Sequence, residues 1–65
     1  MEITARKVKI FKIKNRKGYA AVCRNYLTEG RTCAQAYERM EKALRRNGIA
    51  LTRAPRTLNS LLTNV

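Results

Sequence analysis

The segment Thr32 to Gly48, TCAQAYERMEKALRRNG, constrains the fold most, because both ends carry helix signals and an apolar stripe runs between them. Thr32 is an N-cap residue, and Gln35 three positions on completes a capping box, in which each side chain satisfies a backbone N–H that the first turn leaves unpaired. Arg45 and Arg46 fall in the last turn, where the helix dipole favours cations, and Gly48 suits the left-handed conformation that ends a helix. Ala36, Tyr37, Met40, Ala43 and Leu44 recur at spacings of three and four, so they share one side. Charged residues fill the other side, where Glu38–Lys42 and Glu41–Arg45 are i, i+4 pairs worth roughly 0.2–0.5 kcal/mol each. A helix over about 33–47 is predicted, and the rest of the chain must pack on its stripe.

Before the helix the pattern changes to that of strands. Arg6 to Lys14, RKVKIFKIK, is a β-branched run laced with lysine. Val8 and Ile10 share one face, whereas Phe11 and Ile13 share the other, which predicts either a β-bulge or a strand partly covered on both faces. Asn15-Arg16-Lys17-Gly18 reads as a turn leading into a second strand, Tyr19 to Leu27, with Glu29-Gly30 as a turn or short third strand. After the helix, Ile49 to Arg53 alternates as a short strand that Pro55 closes. Leu58, Leu61, Leu62 and Val65 have helical spacing with Thr57 as a cap, so the tail reads as a short C-terminal helix that docks or a terminus that frays. The expected fold is therefore α+β, a small antiparallel sheet of three to four strands on one main helix, with Met40, Tyr37, Leu44, Val22 and Ile10 in the core. At 65 residues the chain reads as a single domain near the size where a partner often helps stability, with residues 1–5 and 54–65 as loose or partner-docking ends. A homodimer is a reasonable expectation.

Fifteen Lys and Arg against four acids give a formal net charge of +11, which points to a polyanionic partner. The charge is uneven. The hairpin region holds Arg6, Lys7, Lys9, Lys12, Lys14, Arg16, Lys17, Arg24 and Arg31 against Glu29 alone, while the helix carries its own counter-charges. Lys9, Lys12, Lys14, Arg16, Lys17 and Arg24 are the candidate phosphate contacts, with Tyr19 as a candidate stacking group beside Tyr26. Catalysis is not expected, because there is no His and the acids are confined to Glu2, Glu29, Glu38 and Glu41. Cys23 and Cys33 read as buried thiols rather than a disulfide or a zinc site, and neither a metal nor a cofactor is expected. No apolar run reaches membrane-spanning length and no signal-peptide core precedes the first strand, so a cytoplasmic protein without a membrane span is expected.

Three resemblances bear on these expectations. Lys17-Gly18-Tyr19-Ala20-Ala21-Val22 resembles the opening of the RNP1 motif of RNA-recognition motifs, with Ala21 where a second stacking aromatic would stand. Gly18 to Cys23, followed by Gly30-x-Thr32-x-x-Gln35-Ala36 and Ala43-Leu44, is similar to the HicB-like antitoxin domain, with Gln35 in place of the usual acid. That resemblance implies a β-β-β-α-β partial RNase H-like fold without catalytic acids, often dimeric, whose members neutralise a small RNA-cleaving toxin and commonly carry an appended DNA-binding segment. The strand-strand-turn-helix order with a basic sheet is also similar to the arm-binding domains of phage-type integrases, which implies a sheet set into the DNA major groove. Together these observations favour a small nucleic-acid-binding regulator of phage or mobile-element origin, binding DNA or RNA. The alternative is a HicB-like interaction module for an acidic protein partner.

Overall fold

The computed structural model describes residues 1–63, and it has the predicted α+β architecture. Three antiparallel strands, β2 (Lys9–Lys12), β3 (Tyr19–Cys23) and β4 (Tyr26–Gly30), form one sheet in that order. Helix α1 (Cys33–Arg46) covers one face of it. Two short strands, β1 (Glu2–Thr4) and β5 (Ala50–Thr52), pair in parallel as a separate ribbon.

The helix ends as its sequence dictates, with one change. The Gln35 backbone N–H donates to Thr32 Oγ1 (3.0 Å), but Gln35 Oε1 accepts from the Arg31 N–H (2.7 Å) rather than from the cap residue itself. At the other end the Ile49 N–H reaches the Leu44 carbonyl (2.9 Å) and the Gly48 N–H the Arg45 carbonyl (3.0 Å), with Gly48 at φ 76°. This is a Schellman motif, and its usual apolar contact is supplied by Leu44 and Ile49, both in the core. Of the two expected surface pairs only Glu41–Arg45 forms (3.7 Å); among the described residues Glu38 and Lys42 make no ion pair.

Ile10, Ala21, Cys23, Ala36, Met40 and Leu44 are fully or almost fully buried between sheet and helix. Ala21 and Cys23 are small enough for the helix to approach closely. Gly30 is required for the same reason: a Cβ there would lie 2.6 Å from the Ala36 nitrogen, against backbone that cannot yield. Thr28 Oγ1 donates to the Ala36 carbonyl (3.0 Å) and ties β4 to the same turn of α1.

Several strand boundaries differ from the sequence reading. The expected strand from Arg6 to Lys14 starts only at Lys9, because Ala5–Lys7 forms a 3-10 turn closed by the Val8 N–H on the Ala5 carbonyl (3.0 Å), with Ala5 fully buried. No bulge occurs, since β2 pairs with β3 in unbroken register from Lys9↔Val22 to Lys12↔Tyr19. The alternation breaks instead because Phe11 and Ile13 are half-buried on the face opposite the helix. The expected strand Tyr19 to Leu27 is two strands joined at Arg24-Asn25, with Arg24 at φ 55°. The reversal moves Tyr26 and Thr28 to the helix side and leaves Leu27 on the open side. Val22 faces the open side too and is half-buried, which corrects its place among the core residues.

The chain ends also differ. Residues 1–5, read as a lead-in, include β1, and the last strand joins β1 rather than the antiparallel sheet. The tail forms a 3-10 turn at Leu58–Leu61 with Leu61 buried, and Thr57 occupies the cap position without a side-chain cap bond. Beyond it Leu62 bridges Ile10 and the Thr63 N–H donates to the Ile10 carbonyl (2.7 Å), so the tail covers the free edge of β2. Val65 lies outside the described residues.

Candidate nucleic-acid interface

Only two of the fifteen Lys and Arg side chains are ion-paired among the described residues, Arg16 with Glu29 (3.1 Å) and Arg45 with Glu41. Among the described residues no charged side chain is buried. The remaining cations therefore stand in solvent and are available to a polyanion.

Seven of the fifteen, the paired Arg16 among them, line two clefts beside the three-stranded sheet. The first, about 500 Å³, lies where the β2–β3 loop meets the link between β4 and α1, and Arg16, Lys17, Arg31 and Arg39 line it. They come from three parts of the chain, and the close approach at Gly30 brings the loop, link and helix together. Arg16 Nη2 is held by Glu29 Oε1, and Arg39 Nη1 donates to the Glu29 carbonyl (2.8 Å), so two guanidinium groups are fixed on one strand residue. The second cleft, about 860 Å³, lies between β2 and the tail, and its cations are Arg6, Lys9 and Arg53. Arg53 has φ 55°, a left-handed conformation that costs an ordinary residue roughly 1–2 kcal/mol.

The sequence-predicted residues are thus not one patch. Arg16 and Lys17 meet in the first cleft, and Lys9 belongs to the second. Lys12 and Lys14 are exposed near the β2–β3 loop, outside both linings. Arg24 lies apart at the β3–β4 turn, where Nη1 approaches Met1 Sδ at 3.5 Å. Tyr19 shares the face of Ala21 and packs partly on the core, as does Tyr26. The aromatic on the open face is Phe11, whose period-two relation to Ile13 was the available signal. Arg31 and Arg39 also enter the site although nothing in the sequence sets them apart, because an arginine at a helix surface or link carries no mark of what it reaches.

Cys23 and Cys33 are free thiols, the first buried and the second half-buried. Burial pushes the Cys23 thiol above its ordinary value, and the nearby Arg24 charge offsets part of that rise. Tyr37 is pushed up by burial and further by the Glu41 carboxylate. Both groups stay neutral near pH 7, as core packing requires. Among the described residues no three of Cys, Asp and Glu come together as a metal-ligand set. No helix among them is long and apolar enough to cross a membrane.

No family model matches the chain, and neither a curated protein nor a solved structure is found to resemble it.

Proposed function

We propose that this α+β protein is a small, non-enzymatic nucleic-acid-binding regulator of the phage or mobile-element kind, contacting phosphates through the lysine-rich β2–β3 hairpin and the clefts beside it. The observation that carries the reading is the pair of cation-lined clefts in a chain where only two basic side chains are ion-paired among the described residues. Solubility alone calls for interspersed charges of both signs rather than clustered cations. Cytoplasmic residence fits the same reading.

Titration against duplex DNA, single-stranded DNA and RNA at two salt concentrations tests it. Log affinity is expected to fall linearly with log salt, with a slope near −0.9 per neutralised phosphate on duplex and near −0.7 on single strands. Arg16→Glu with Lys17→Glu should weaken binding to all sequences alike and make the slope shallower by about one unit for each phosphate no longer neutralised. Absence of binding at low salt would remove the proposal, and an unchanged affinity in the double variant would remove the first cleft from it.

A second reading, a HicB-like module for an acidic protein partner, draws on the run β2-β3-β4-α1-β5, although β1 precedes it and β5 pairs with β1 outside the three-stranded sheet. A homodimer would form most simply along the outer edge of β4. The Ile13 N–H bond to the Gly18 carbonyl (3.1 Å) sets the ladder so that Leu27 and Glu29 turn their backbone groups outward there, with the Glu29 carbonyl already accepting from Arg39. Mutual repulsion of two chains of +11 opposes that pairing unless an anion lies between them.

A further inference from the structure

We propose that the open face of the three-stranded sheet is a platform for single-stranded nucleic acid, with Phe11 stacking on a base while the two clefts hold flanking phosphates. This rests on the nucleic-acid reading above and specifies its substrate form. Side-chain alternation and register put Lys9 and Phe11 of β2, Ala20 and Val22 of β3, and Leu27 and Glu29 of β4 on the face opposite α1. A solvent-facing sheet side ordinarily alternates to polar residues. Here Phe11, Val22 and Leu27 keep it apolar, and Leu27 is 61% exposed. Ala20 is buried between its cross-strand neighbours Phe11 and Glu29, and Phe11 beside it is only half-buried.

Charge selects the occupant of this face. The first cleft borders it through Glu29 and its partner Arg16, and the second through Lys9. Phe11 sits between the two along the segment from Lys9 to Ile13, about 13 Å at ~3.3 Å per residue. Cations at both ends of an aromatic-bearing apolar strip match a strand whose phosphates and unstacked bases alternate. Bases inside a duplex keep their faces stacked on one another and offer Phe11 nothing. A second copy of the chain would bring like charge to both ends, and an acidic protein would match the cations without using the ring. Single-stranded DNA and RNA share the recognising chemistry, and the probes separate them.

The test uses the full chain with an oligo(dT), an oligo(U) and a duplex, each of about 15 nucleotides or base pairs. The unmodified protein should bind at least one single strand more tightly than the duplex. Phe11→Ala should weaken that single-strand binding roughly 5- to 140-fold, as loss of one base–aromatic stack implies, and leave duplex binding essentially unchanged. Phe11→Trp keeps the apolar bulk and introduces the chain's one tryptophan, so it covers the case in which the alanine variant does not fold. Its fluorescence should be quenched by the preferred single strand. Unquenched tryptophan at saturation would overturn the platform while leaving nucleic-acid binding intact, as would a preference for duplex. Intact affinity with a changed oligomeric state in the alanine variant would overturn it too, by making the face an interface between copies. Binding to none of the three probes would remove the nucleic-acid reading itself.

Discussion

The two faces of the three-stranded sheet are built from similar residue types and behave differently. The covered face presents Ile10, Ala21 and Cys23 to Met40 and Leu44, and none of the five exposes appreciable surface. The open face presents Phe11, Val22 and Leu27, and among the described residues no second layer seals them. Apolar character alone therefore does not decide which side becomes the core. Close approach of α1 does: Ala21, Cys23 and the missing Cβ at Gly30 make room for the helix on that side. An apolar face that the chain leaves uncovered is a place for something else to bind.

Stability should separate the faces sharply. Met40→Ala removes a fully buried side chain and is expected to cost about 2–5 kcal/mol. A domain of this length has a total stability of about 3–10 kcal/mol, so the variant should be largely unfolded in a denaturant titration that the parent survives. Phe11→Ala, from the open face, should cost about 1 kcal/mol, roughly half of what full burial of such a side chain is worth. Equal losses in the two variants would erase the distinction between the faces.

The smallest effect comes from pH. Cys23 and Tyr37, both on the covered side, have their ionisation raised by burial above ordinary values of 9.0 and 10.0. Their neutral forms are the ones that fit the core, so their contribution to stability is complete below the ordinary thiol value and is lost as pH rises through and beyond it. Denaturation midpoints should be level from pH 7 to about 8.5 and decline above about 9. Replacing Cys23 with Ala should remove the earlier part of that decline, and a flat profile up to about pH 10.5 would show that neither group is sealed.

Legibility in the sequence followed the range of the interactions. Helix α1 could be read because Thr32, Gln35, Arg45, Arg46 and Gly48 act within a turn of the groups they satisfy. The split of one expected strand at Arg24-Asn25 was not legible, since Arg24 at φ 55° is a conformation its type seldom adopts and nothing local announces it. Pairing of β1 with β5 joins three-residue segments far apart in the chain, and such short strands carry little pattern of their own. For the candidate site, the residue pattern gathered the hairpin cations but placed the aromatic on Tyr19. One missed reversal and the choice between bulge and two-sided strand together concealed that Phe11 holds the open face.

The most direct measurement is a map of backbone amide shifts as a short single-stranded oligonucleotide is added to the labelled protein. The largest shifts are expected on Lys9, Phe11, Val22 and Leu27 and on the two clefts, while the outer face of α1 from Glu38 to Arg46 stays still apart from Arg39. Shifts concentrated on that outer helix face, or spread evenly over all exposed lysines and arginines, would contradict a single-strand platform on the open sheet.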